Sequence, residues 1–369
     1  MKGKNVLLLF HKPLDQVDGQ TKYLKELIDV VSSNYKVVIP SEKFYTSFKW
    51  QNRNWLLRTF LVNIYLIKWV IKNRVYIEKN FFICIIEDRY SLIPTFILIK
   101  LTKLKLISRL SDWGEGYSAS LTFKQKYWAY PLSILEILYK RFVLNLSTGA
   151  IVPSEYVFLL LQEEFHGKIF NFPHPYSPVP YKLSTNNFKP SFKDDAHDIY
   201  CALIGNFNYA PNEDSANFLL KDLALKINKV DDKIKILIIG NGSAEKFSNF
   251  NSDNIKILGL LENLSEIYQH CQIGINPSQT LGGTSIKNIE YLTNGLILIS
   301  TPEAAIGVIK SSNMYVTNRG GFLTLIADLA KKIRNKELAT DKMEVNRIRE
   351  YYSKDKIAIK IAAFIKEFR

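Results

Sequence analysis

Short runs of consecutive apolar residues alternate along the whole chain with stretches in which apolar side chains recur every third or fourth position. The first pattern fits strands buried on both faces; the second fits helices with one face in a core. In the first half, apolar runs at 6–10, 35–39, 81–86, 104–110, 149–152 and 169–172 predict strands. Between the first two, Asp18-Gly19-Gln20-Thr21 reads as a turn, and Tyr23, Leu24, Leu27, Ile28 and Val31 follow at helical spacing. Further helices are predicted over 55–72, 94–101, 123–144 and 155–164. The second half repeats the scheme, with strands at 199–204, 234–239, 255–258, 273–276, 296–300 and 314–316. Helices are predicted there over 212–227, 264–271 and 285–294, with a terminal one over 351–368. Strand–helix alternation of this kind predicts an α/β chain with two doubly wound, Rossmann-like sheets, which bind ligands beyond the carboxyl ends of their strands. The proline-rich run from Phe172 to Pro180, followed by polar residues to Asp198, reads as the linker between them.

Length agrees, because 369 residues at ~150 per domain suggest two domains. With 47% hydrophobic and 23% charged residues, each half can bury a full core. The net charge of +14 is lopsided: residues 1–183 carry 25 Lys and Arg against 14 Asp and Glu, the remainder 24 against 21. The first half is thus suited to face something anionic, such as a lipid surface, a phosphorylated substrate or nucleic acid. Cys84, Cys201 and Cys271 sit in or beside apolar runs without paired spacing and read as reduced core residues, which suggests a cytoplasmic chain. The five histidines show no ligand spacing, so no metal site is expected. No signal peptide is expected, and the 55–71 stretch, interrupted by Arg58, Asn63 and Lys68, is rejected as a membrane span. Within the 55–72 helix, Asn54, Arg58, Lys68 and Lys72 fall in an arc of roughly 80°, which fits a mostly buried helix with a narrow solvated stripe. The alternative is an interfacial helix, with Trp55 and Trp69 at the headgroup level of an anionic membrane.

Candidate chemistry concentrates at 273–300. A short strand leads into Gly282-Gly283-Thr284, then a helix with Lys287 and Glu290 on one side, and Gly295 stops that helix. Thr284 is the expected N-cap, and the free N–H groups behind the glycine turn make an anion site. A lysine there suits a phosphate, and a glutamate one turn on suits sugar hydroxyls. The competing reading is an exposed ion pair worth only ~0.3–0.5 kcal/mol. After the 104–110 strand, Ser111-Asp112-Trp113-Gly114-Glu115 puts Asp112 at a strand end, as either a solvated loop acid or a catalytic one. Gly240-Asn241-Gly242-Ser243 is too short for a dinucleotide fingerprint, and no phosphate-binding Gly-x-x-x-x-Gly-Lys loop exists, so nicotinamide enzymes and nucleoside triphosphatases are disfavoured.

Three pieces in order carry a family resemblance: Ile204-Gly205-Asn206-Phe207-Asn208-Tyr209-Ala210-Pro211-Asn212, Leu237-Ile238-Ile239-Gly240-Asn241-Gly242, and Gly282-Gly283-Thr284-Ser285-Ile286-Lys287-Asn288-Ile289-Glu290 through Gly295. Over residues 202–308 the chain resembles family-4 retaining glycosyltransferases of the GT-B fold. The resemblance implies two Rossmann-like domains facing each other across a cleft. Residues 1–180, joined by the 352–369 helix, would bind the acceptor, and 181–351 would bind the nucleotide-sugar. It also implies that Lys287 contacts the donor phosphates and Glu290 the ribose. Gly205, Gly240, Gly282, Gly283 and Thr284 would line the donor, Gly19 would approach its phosphates, and Asp112 would lie near the transferred sugar. No cofactor is implied, since the nucleotide-sugar is a substrate. The chain departs from the family at Gly282, where many members carry a glutamate, at Ser285 for Arg, at Ser111 for His, and in lacking a basic pair in 206–212.

The expected function is therefore metal-independent, retaining glycosyl transfer to a glycan or lipid-linked acceptor at the cytoplasmic membrane face. A nucleotide-sugar-binding protein with little turnover is the alternative that the departures motivate. Nucleic-acid binding rests on charge alone, with no motif beside it, and is not expected.

Overall fold

The computed structural model describes residues 5–10, 19–46, 55–87, 92–110, 138, 140–176, 197–250, 252–280 and 284–369. The chain forms two compact units, one holding the described residues up to Pro175 together with Ser353–Arg369, the other Tyr176–Tyr352.

The first unit is built on six parallel strands: β1 (Asn5–Leu9), β2 (Lys36–Val38), β3 (Phe81–Glu87), β4 (Lys105–Arg109), β5 (Gly149–Val152) and β6 (Lys168–Asn171), in the order β2-β1-β3-β4-β5-β6. Their continuous apolar character follows from burial on both faces. One face packs Leu24, Leu27 and Val31 of the Gly19–Ser32 helix with Ile357, Ile361 and Phe364 of the Lys354–Lys366 helix. The other packs Val62, Leu66 and Val70 of the Trp55–Lys72 helix with Leu98 of the Leu92–Leu101 helix. Trp69 lies against that inner cluster, so it is not the outward anchor that an interfacial helix would need. The side chain of Trp55, the linker residues 177–196 and most of the 123–144 stretch lie outside the described residues.

The second unit contains β7 (Ile199–Ile204), β8 (Ile234–Ile239), β9 (Ile255–Gly259), β10 (Ile273–Asn276), β11 (Ile297–Ser300) and β12 (Met314–Val316), all parallel, ordered β12-β11-β10-β7-β8-β9. The strand order reverses between β7 and β10, the switch point at which doubly wound sheets open a crevice. The predicted 212–227 helix is longer and composite: Ala210–Phe218, one π turn at Leu219–Leu223, then Ala224–Val230. The wider turn lets Leu219, Leu220, Leu223 and Ala224 all face the core. The terminal helix predicted over 351–368 spans Lys354–Lys366, and a helix that was not predicted, Lys342–Tyr351, precedes it; between them Tyr352 leaves helical geometry and its buried phenol oxygen accepts the Ile309 N–H at 3.2 Å. Only Val345 and Ile348 of the Lys342–Tyr351 helix are buried, too few to mark it by apolar periodicity.

Candidate functional site

β7 and β10 pair only at Cys201–Ala202 with Ile273–Gly274 and then diverge. The divergence would strand the Ile204 N–H; the phenol oxygen of Tyr291, on the Ile286–Thr293 helix, accepts it at 2.8 Å. That ring reaches the strands because residue 274 is glycine: a Cβ there would lie 2.3 Å from Tyr291 Cγ. Gly274 and Tyr291 thus seat the helix in the crevice at the switch point. Tyr291→Phe would leave the Ile204 N–H buried and unpaired, at a cost of about 1–3 kcal/mol. Chemical denaturation should read that loss; an unchanged midpoint would show that the phenol has no such role.

The same helix carries Lys287. Its ammonium donates to Asn212 Oδ1 at 2.6 Å, and Asn212 Nδ2 donates to the Asn206 carbonyl at 2.9 Å. The loop after β7 therefore holds the lysine across the switch point through a neutral amide oxygen. Burial pushes the Lys287 ammonium down to about 8, partly offset by the charge of Glu290. An anion bound there meets a cation at neutral pH and a neutral amine above about 8. Affinity for a diphosphate should consequently fall as pH rises through that value, and Lys287→Arg should flatten the profile, since arginine stays charged. Calorimetric titration with UDP between pH 6.5 and 9.5 measures it. The linked stability runs the other way: the unfolded lysine keeps its proton to higher pH, so folding is favoured as pH rises from about 8 toward the ordinary lysine value.

Glu290, one turn on, accepts a hydrogen bond from Tyr268 Oη at 3.1 Å. Burial, reinforced by the Glu290 charge, holds the Tyr268 phenol far above its usual range, so it remains a donor. The N-cap of the helix is Ser285, one residue beyond the expected Thr284, whose hydroxyl instead donates to Gly307 O at 3.4 Å. Ser285 makes no side-chain cap to the helix; its Oγ accepts from Asn276 Nδ2 at 2.9 Å, and Asn276 Nδ2 also reaches Asn288 Oδ1 at 2.8 Å. Asn288 in turn donates to Ala304 O at 2.8 Å. This buried amide chain ties β10, the helix start and the segment after β11 into one rigid base.

The glycines have more local roles than close approach to a ligand. Gly205 leaves room for Asn212, whose Cγ would lie 3.0 Å from an added Cβ. Gly240, at φ +135°, packs its bare backbone against the Gly205 carbonyl, 1.9 Å from where a Cβ would stand. Gly205, Gly240, Thr284, Lys287 and Glu290 all lie at the carboxyl end of the second sheet, and Gly19 begins the Gly19–Ser32 helix of the other unit. Asp112, Gly282 and Gly283 lie outside the described residues. Sequence reasoning passed over Tyr291, Tyr268, Asn276, Asn288 and the anchoring part of Asn212. A glycine inside a strand (Gly274) and an asparagine ending an apolar one (Asn276) were the available signals. Among the described residues no cluster of three or more His, Cys, Asp or Glu could hold a metal ion.

Residues 199–336 match the sequence model of group 1 glycosyl transferases. Among curated proteins none matches the chain in sequence. Solved structures similar over nearly the whole length include a sucrose-phosphate synthase from Thermosynechococcus elongatus, with 12% identity, 98% of each chain covered and a TM-score of 0.68. Anabaena HepE, solved with UDP and glucose, aligns at 12% identity and a TM-score of 0.63, covering 98% of this chain and 99% of that one. A glycosyltransferase from Rickettsia africae gives 14% identity and 0.61, with 100% and 98% covered. Residues 199–336 are thus similar to group 1 glycosyl transferases, and the chain has the GT-B fold of two Rossmann-like units.

Proposed function

We propose that the protein is a metal-independent, retaining glycosyltransferase that moves a sugar from a nucleotide-sugar to a glycan or lipid-linked acceptor at the cytoplasmic membrane face. The observation that carries the donor half of this reading is the Lys287 ammonium, held across the β7–β10 switch point by a neutral amide beside the start of a helix. A departing nucleoside diphosphate needs positive charge and N–H donors more than a strong base, and this corner supplies both. Glu290, positioned by Tyr268, takes ribose hydroxyls. Asp112 is assigned to the transferred sugar, Gly19 to the phosphates from the first unit, and Gly282, Gly283 and Thr284 to the donor turn. UDP-sugars are the first donors to test, since Anabaena HepE was solved with UDP and glucose.

The acceptor half rests on the surface of the first unit. The Trp55–Lys72 and Leu92–Leu101 helices pack together, and each runs back from the carboxyl ends of the strands. Their first two turns expose Leu57, Phe60, Ile93 and Phe96, with Phe60 62% and Ile93 60% exposed. Large apolar side chains in a strongly basic half suit an anionic bilayer. No described helix is long and apolar enough to cross a membrane, so contact would be peripheral.

The test is a panel of UDP-, GDP- and ADP-sugars scored for thermal stabilisation and, with anionic vesicles carrying polyprenyl-phosphate-linked acceptors, for nucleoside diphosphate release. One sugar should both raise the melting temperature and turn over, and Phe60→Glu with Ile93→Glu should abolish co-sedimentation. Asn212, standing in a segment where a basic pair is usual, favours a second reading: donor binding with little transfer. Stabilisation without diphosphate release would select that reading, and no stabilisation by any donor would reject both.

A further inference from the structure

A serine before a helix ordinarily caps it, its hydroxyl oxygen accepting an N–H of the first turn. Ser285 stands at that position before the Ile286–Thr293 helix with extended backbone, φ −75° and ψ 104°, yet its side chain caps nothing. Among the described residues the N–H groups of Ile286 and Lys287 consequently have no partner; the first paired ones are those of Asn288 and Ile289, 3.1 and 3.4 Å from the Ser285 carbonyl. What holds the hydroxyl away is a hydrogen-bond chain whose direction is fixed from its far end. The Ala304 carbonyl can only accept, so Asn288 turns its Nδ2 there, at 2.8 Å, and presents Oδ1 toward β10. Asn276, at the carboxyl end of β10, must then present Nδ2, which donates to Asn288 Oδ1 at 2.8 Å and to Ser285 Oγ at 2.9 Å. Its own Oδ1 is left without a partner, although the residue is only 2% exposed. Turning the amide over would set oxygen against oxygen at Asn288, so the orphaned atom follows from the direction of the chain. Ser285, half-buried, thus receives a hydrogen bond, and nothing among the described residues accepts its hydroxyl hydrogen.

We propose that Ser285 is a phosphate ligand of the donor site and that Asn276 is the residue that positions it, by turning the serine from the acceptor that a helix cap requires into a donor. A phosphate oxygen at this corner meets the Ser285 hydroxyl beside the open N–H groups of Ile286 and Lys287 and the Lys287 ammonium. A capping serine would do the reverse: it would occupy one of those N–H groups and turn a lone pair toward the anion. The buried asparagine pair therefore has a task that packing alone does not require, since two apolar side chains would fill the same space with no orphaned oxygen. The assignment rests on the donor reading above and adds to it a side chain and the reason for that side chain's orientation.

UDP, which carries the diphosphate without the sugar, is the probe, titrated calorimetrically against the full chain. Ser285→Ala should lose roughly tenfold or more in UDP affinity, the usual scale for a hydrogen bond to a charged group, and Ser285→Thr, which keeps the hydroxyl, should restore most of it. Asn276→Ala should weaken UDP binding in the parent and have no further effect once residue 285 is alanine. An asparagine with a merely structural role would cost the same in both backgrounds, so the double-mutant cycle separates the two. Asn276→Leu, which keeps the volume, takes its place in the cycle where the alanine variant does not fold. Parental UDP affinity in Ser285→Ala, or an equal loss from the Asn276 variant in both backgrounds, would overturn the inference and leave the donor site standing. Failure of UDP to bind the parent would instead reject the donor reading, and this assignment with it.

Discussion

Lys287→Ala should lower kcat/KM for glycosyl transfer by about 10²–10³-fold, the usual effect of removing one preorganised partner of a developing charge. The protein should fold as before or more stably, because the substitution removes an ammonium that burial pushes down to about 8. The lost partner is not replaced nearby: the group held against Lys287 is the amide of Asn212, which carries no charge, and position 285 is a serine. Lys287→Met preserves the aliphatic stem and separates packing from charge, and it should be as inactive as the alanine variant. On the function proposed above, Glu290→Ala should act chiefly on donor KM, since a group that holds ribose hydroxyls contributes nearly equally in ground and transition states. Steady-state rates and UDP titrations on the three variants decide the matter. Near-parental turnover and UDP affinity in Lys287→Ala would remove the donor site from this corner.

Gly240→Ala should be the most damaging substitution of small size. Its φ of +135° belongs to a region open essentially to glycine, and its added Cβ would stand 1.9 Å from the Gly205 carbonyl oxygen, a backbone atom that cannot turn aside. Relief requires the loops after β7 and β8 to separate, which also draws Asn212 from Lys287. A loss of about 3 kcal/mol or more is expected, lowering the melting temperature of the second unit by roughly 6–12 °C. Gly295→Ala provides the contrast: φ is +83°, but nothing lies within 4 Å of the added carbon, so only the left-handed conformation of about 1–2 kcal/mol is charged against it. Calorimetry on both separates backbone collision from conformational strain. Equal shifts would mean that the Gly205 contact contributes nothing.

Much of the fold was legible because buried parallel strands are continuous apolar runs, and the structure places strands at 149–152, 199–204, 234–239, 273–276 and 314–316 where those runs lie. The helix of Lys287 and Glu290 was legible too, since Gly295 at φ +83° ends it. Its cap was misplaced by one residue because serine and threonine are alike as caps, and what chose between them was Asn276, far enough away in the chain to escape any local pattern. The composite nature of the helix at 210–230 escaped for a related reason: apolar periodicity reports which side faces the core, not the pitch of one turn.

The sequence by itself determined the class of fold, the order of its elements, and that a lysine and a carboxylate share one helix beyond a glycine turn, because each of these is written in spacing along a continuous chain. Only the tertiary structure decided that the helix sits at the switch point, that Asn212 holds the lysine without neutralising it, that Tyr291 closes the gap where β7 and β10 part, and that Gly240 faces Gly205 rather than open space. Those facts depend on pairs separated by 35 to 87 positions, which are brought within bonding distance by parallel crossovers and leave no periodic trace in the residues between them.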